Sequence, residues 1–115
     1  MKGLILIALA LFISACATPK VENNAEFYYN RGLAYGLKGQ RDKEISDSTK
    51  AIEINPRYAM AYTNRGNAYY KKGHYDQVIS DYTKAIEINP SYALAYNNRG
   101  ITCYYKGEYD KAWED

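Results

Sequence analysis

The sequence predicts an all-α protein, a solenoid of antiparallel helical hairpins about two and a half repeats long. Three observations carry that prediction. A stretch is written twice: Ser46 to Gly66 (SDSTKAIEINPRYAMAYTNRG) returns as Ser80 to Gly100 (SDYTKAIEINPSYALAYNNRG), displaced by 34 residues with four substitutions. A fixed period of that length marks one supersecondary unit being stacked, rather than one globular core being built. Within a period, apolar residues recur at helical spacing in two separate runs. Each run ends at a breaker, glycine after the first and Asn-Pro after the second.

Units beginning at Ala25, Ala59 and Ala93 bring the copies into register as residues 25–58, 59–92 and an incomplete 93–115. Position four is then Tyr28, Tyr62 and Tyr96, position eight Gly32, Gly66 and Gly100, and position fifteen Gly39, Gly73 and Gly107. In the second unit Tyr62, Gly66, Ala68, Tyr69 and Tyr70 form the first stripe, and Lys71-Lys72-Gly73 ends that helix with cations and a glycine. Tyr75, Val78, Ile79, Tyr82, Ala85, Ile86 and Ile88 form the second stripe. Asn89-Pro90, like Asn55-Pro56, then separates units, because the residue before proline is pushed out of the helical region. Glycine at position eight and Ala51 or Ala85 at position twenty-seven let two backbones approach, while tyrosines fill the space between units.

This pattern resembles the tetratricopeptide repeat: aromatic at four, glycine at eight, aromatic at eleven, small at twenty and twenty-seven, proline at thirty-two. The resemblance covers Ala25 to Asp115 and implies a right-handed superhelix that presents a groove. Two departures stand out. The first unit has Arg41, Glu44 and Ser48 where the second has Tyr75, Val78 and Tyr82, so its second helix is expected to be the weaker part of the stack. The third unit reaches only Asp115, about seven residues into its expected second helix. Its open end is expected either to continue in a longer protein or to be covered by another chain.

The first residues read as an address. Met1-Lys2 is followed by an unbroken apolar run from Gly3 to Ile13, too short for a bilayer span of about twenty residues but long enough for a secretory core. Ile13-Ser14-Ala15-Cys16 then resembles a bacterial lipobox, which implies a signal peptide over residues 1–15 and acylation of Cys16. Anchoring through two or more chains would be stable. Ala17 stands where inner-membrane retention typically uses aspartate. The expected location is therefore a bacterial envelope, the outer membrane before the inner if there are two. Residues 16–24 form the lipidated end and a polar tether whose eight residues after Cys16 reach at most about 28 Å.

Composition excludes other classes. Without Lys2, 14 basic side chains face 13 acidic ones, leaving no electrostatic reason to expect nucleic acid. The only histidine, His74, lies in a turn where sister units carry Gln40 and Glu108, and no nucleophile-base set or phosphate loop appears. No enzyme, metal site or cofactor is expected. Cys103, at position eleven, is expected to be a small buried hydrophobe rather than a reactive thiol.

The resemblance implies a concave face lined by positions two, five, six, nine, twelve and thirteen of each first helix. Here these include Tyr29, Asn30 and Leu33, then Thr63, Asn64, Asn67, Tyr70 and Lys71, then Asn97, Asn98, Ile101, Tyr104 and Tyr105. Position six is asparagine in every unit (Asn30, Asn64, Asn98). A carboxamide can pair with the peptide groups of an extended chain, and asparagine is otherwise a poor choice inside a helix. Family members that grip a C-terminal carboxylate use lysines and an arginine on this face. Tyr29, Leu33, Leu94 and Asn98 leave that cationic part missing. Position seven is always arginine (Arg31, Arg65, Arg99) and is expected to bridge neighbouring helices. The functional expectation is a membrane-tethered, non-catalytic adaptor holding a peptide segment of an envelope protein. The alternatives are a docking module of a longer enzyme and a scaffold that self-associates through its open C-terminal end.

Overall fold

The computed structural model describes the backbone of residues 24–114 and the side chains of residues 24–111. Residues 1–23, which hold the signal segment, Cys16 and all of the tether but Asn24, and Asp115 lie outside the described residues. Five helices follow one another among the described residues: α1 Ala25–Leu37, α2 Arg41–Ile54, α3 Ala59–Lys72, α4 Tyr75–Ile88 and α5 Ala93–Glu114. Helix α1 packs on α2, α2 on α3, α3 on α4 and α4 on α5. The first two units are thus the expected hairpins, laid one on the next in an all-α solenoid.

Local chemistry sets the helix ends. Asn24 caps α1, its side-chain oxygen accepting from the backbone N–H groups of Glu26 at 2.9 Å and Phe27 at 3.3 Å. Gly39 (φ 73°) and Gly73 (φ 75°) adopt the left-handed conformation that reverses the chain within each hairpin. Between units, Asn55 and Asn89 turn their side-chain oxygens onto the N–H groups of Arg57 and Ser91, at 3.1 and 3.2 Å. The asparagine of each Asn-Pro thus makes an Asx turn besides standing before a proline.

The apolar core lies in the second unit and its junction with α5, where Tyr62, Val78, Tyr82, Ala85, Ile86 and Ala95 cluster. The close approach predicted at position eight is present: a Cβ on Gly66 would stand 3.0 Å from the Tyr82 ring, and one on Gly32 3.4 Å from Asp47 Cβ. In the first unit, polar residues fill the corresponding core slots. Glu44 and Ser48 are buried. Arg41 Nη1 donates to Glu44 at 2.9 Å and to the Gly36 carbonyl at 3.0 Å.

The third unit departs from expectation. Helix α5 runs unbroken through Gly107, which does not share the positive φ of Gly39 and Gly73. Lys106 reaches Asp110 at 3.1 Å across Gly107, and Glu108 reaches Lys111 at 3.9 Å just beyond it, helix-spaced pairs that each add a little to the helix. A glycine inside a helix costs about 1 kcal/mol against alanine. Cys103 is exposed, not buried as expected, because among the described residues no second helix lies over position eleven of α5.

Candidate peptide-binding groove

The repeated polar residues of the first helices form a lattice that joins the units. Arg31 Nε and Nη2 donate to the two oxygens of Asp47 at 2.7 and 2.9 Å, and Arg65 repeats this with Asp81 at 2.9 and 2.8 Å. Arg65 Nη1 also reaches back to Thr49 of the preceding unit at 3.2 Å, and Arg99 reaches Thr83 at the same distance. The arginines therefore clamp each hairpin and tie it to its neighbour. Burial presses the Asp81 carboxyl upward while the Arg65 guanidinium pulls it down, and the same hydrogen bonds raise Arg65.

Position six does a related task. Asn64 is 5% exposed and its Nδ2 donates to Ser48 Oγ, itself fully buried, at 2.9 Å. One unit later Asn98 lines the same cavity as Tyr82, which occupies the place of Ser48, and draws the Tyr82 hydroxyl downward against burial. Asn30, at the same position of α1, is exposed. This inter-unit pairing supplies the reason that a carboxamide recurs mid-helix. Asn64 was expected to face a ligand, and so was Thr63. Thr63 is buried with its hydroxyl donating to the Ala59 carbonyl at 3.1 Å. Both expectations are corrected: these side chains are spent inside the stack.

Five other predicted residues converge. Asn67, Tyr70 and Lys71 from α3 and Asn98 and Ile101 from α5 line one cavity of about 330 Å³ together with Tyr82 and Thr102. Helix α4 supplies the back of this groove through Tyr82, whose hydroxyl donates to Asn67 Oδ1. Burial pushes the Tyr82 hydroxyl up to about 12, against the opposing pull of its bond to Asn98. Rings continue the surface beyond the cavity: Tyr70 meets Tyr75 at 5.9 Å and Tyr105 at 6.4 Å, and Tyr105 meets Tyr104 at 5.6 Å. Such a concavity offers amide donors and acceptors, a single ammonium group and half-exposed rings. It has no nucleophile with an attendant base.

The remaining predicted residues lie outside this cavity. Tyr29 stacks on Tyr58 at 5.1 Å in the first unit, where Asn30 and Leu33 are exposed, and Asn97 is exposed on α5. Sequence reasoning missed Tyr82 and Thr102 as lining residues. Tyr82 was assigned to the core, and position ten only to the apolar stripe, through Ala68. The signal was present, since asparagine at position six recurs beside a polar group at position twenty-four of the preceding unit.

Tetratricopeptide-repeat family models match residues 25–58, 59–92 and 81–114. The chain belongs to the tetratricopeptide repeat family. Among solved structures it is similar to MamA, with 33% identity and a TM-score of 0.74, covering 81% of this chain and 51% of that one. It is similar to the TPR2B domain of yeast Sti1 in complex with pHsp70, with 30% identity, TM-score 0.70, and coverage of 78% and 72%. It is also similar to the first TPR of Spaghetti (RPAP3) bound to the HSP90 peptide SRMEEVD, with 25% identity, TM-score 0.72, and coverage of 74% and 68%. The chain thus spans about half the length of the MamA structure. No curated protein matches it. Repeat domains of this family are protein-interaction modules, and two of these relatives hold peptide partners, which places this chain among the interaction folds.

Proposed function

We propose that the protein is a membrane-anchored, non-catalytic adaptor that holds an extended peptide segment of an envelope protein between α3 and α5. The observation that carries this reading is the cavity in which Asn67 and Asn98 flank Lys71, Tyr70 and Ile101. Carboxamides pair with peptide N–H and C=O groups, and the rings accept apolar side chains of the same segment. The peptide complexes of the Sti1 and Spaghetti domains support it by analogy of fold. Anchoring rests on the Ile13-Ser14-Ala15-Cys16 sequence and would hold the groove close to the bilayer. Self-association through the exposed face of α5 is the alternative reading, favoured by the open space around a Cβ built on Gly100 among the described residues.

The test is selection of binders from a library of extended peptides, followed by affinity measurement on variants that remain folded by circular dichroism. Asn67→Ala and Tyr70→Ala should each weaken the selected peptide by about 1–3 kcal/mol, since each leaves buried partner groups unpaired or unpacked. His74→Ala, in the turn, should leave it unchanged. A parent that selects no peptide, or groove variants that bind as the parent does, would overturn the proposal. For the anchor, Cys16→Ser should abolish palmitate labelling and release the protein from membranes; equal labelling and retention would refute lipidation.

A further inference from the structure

Two of the hydroxyls that line the groove are already spent. Tyr82 donates to Asn67 Oδ1, and Thr102 donates to the backbone carbonyl of Asn98 at 2.7 Å. With its oxygen engaged, the Asn67 carboxamide has its two N–H bonds left to offer to the cavity. Lys71 stands one helical turn further along α3, lines the same cavity and is exposed. Its neighbour Lys72 pairs with Asp42, and Lys106 of α5 pairs with Asp76 and Asp110. Among the described residues no carboxylate lies within ion-pair distance of the Lys71 ammonium, and no acidic residue lines the cavity. The groove therefore presents a positive charge and an adjacent pair of N–H donors with no acid to balance them.

The row at position nine shows how a bound chain runs past this point. Leu33 on α1, Asn67 on α3 and Ile101 on α5 occupy that position. Leu33 is exposed and Ile101 lines the cavity, so apolar side chains stand on both sides of the donor pair. Neighbouring first helices lie about 10 Å apart. An extended chain rises about 3.3 Å per residue, so each step along the row covers about three of its residues. We propose that the groove selects a segment with an internal aspartate or glutamate, held by Lys71 Nζ and Asn67 Nδ2, and an apolar residue about three positions to either side. This rests on the peptide reading above and names the chemistry of its partner. The carboxylate belongs to a side chain within the segment, because a chain that ended at Lys71 would leave either Leu33 or Ile101 uncovered. It is held by positions nine and thirteen of a single helix, apart from the positions where carboxylate-end grips place their cations.

The probe is a library of short peptides with both ends blocked, so that no terminal carboxylate is present. Selected sequences should carry an acid between two apolar residues. Replacing that acid by its amide should weaken binding to the parent about tenfold. In Lys71→Gln, checked to be folded by circular dichroism, the same replacement should change affinity less than about twofold, because the coupling is gone. Parent affinity for the acidic peptide should fall as salt rises, and that of Lys71→Gln should not. Lys72→Gln, whose partner Asp42 lies outside the cavity, should bind as the parent does. Three results would each overturn the proposal: blocked peptides selected without an acid, an acid-to-amide cost equal in parent and Lys71→Gln, or binding confined to peptides with a free C-terminal carboxylate. In all three the Asn67 and Tyr70 variants still report on the groove itself. A parent that selects no peptide would overturn this inference together with the peptide reading.

Discussion

Tyr82 is the residue on which core, groove and repeat contact meet, and burial raises its hydroxyl further than those of Tyr29 and Tyr58, which are also raised. It is 2% exposed, packs beneath Gly66 and donates to Asn67 in the groove. Its hydroxyl is pushed up to about 12 by burial, against an ordinary 10.0. The sign follows directly. Below the unfolded pKa both states are protonated and stability is complete. Between the unfolded and folded values the unfolded chain ionises and the native one does not, so stability is lost as pH rises. A shift of this size is worth about 1.4 kcal/mol by pH 11 and approaches about 2–3 kcal/mol above pH 12. Tyr82→Phe removes the ionisation while keeping the ring. It should cost about 1 kcal/mol at pH 8 through the lost Asn67 bond, and should then flatten the alkaline decline. Urea unfolding of parent and variant at half-unit steps from pH 8 to 11.5 measures both effects. Parallel declines for the two proteins would refute the claim that Tyr82 is buried as a neutral phenol at the back of the groove.

Hydrogen exchange should show weaker protection in α2 than in α4, because Arg41, Glu44 and Ser48 replace Tyr75, Val78 and Tyr82, and each large apolar side chain is worth about 1.5–3 kcal/mol when buried; the opposite order would refute it. Gly66→Ala should destabilise by about 1–3 kcal/mol as the added methyl meets the Tyr82 ring at 3.0 Å, less about 1 kcal/mol of gained helix propensity, as read by thermal unfolding. Asn64→Ala should lower stability by about 1–3 kcal/mol by orphaning the buried Ser48 hydroxyl. It should leave the affinity of a selected peptide unchanged; a groove role would reverse that pattern.

Periodicity settled the architecture because it is a property of the chain itself. A 34-residue repeat with glycine at position fifteen and Asn-Pro at its end specifies helix, turn, helix and boundary by local backbone preference alone, and α1 to α4 follow it. Register likewise named five of the residues that meet in one cavity, since residues at equal positions of stacked units must share a face. Sequence could not say which polar residues on that face open on a cavity. Asn64, Asn67 and Asn98 look alike in the chain. Asn64 is consumed by Ser48, whereas Asn67 and Asn98 flank a cavity because Tyr82 stands where the serine would be. Nor could local preference decide Gly107, whose residue type permits both the turn seen at Gly73 and the straight helix of α5. That choice belongs to tertiary structure: a turn forms where the following segment buries against the helix before it, as α4 does on α3, and among the described residues nothing lies over Gly100.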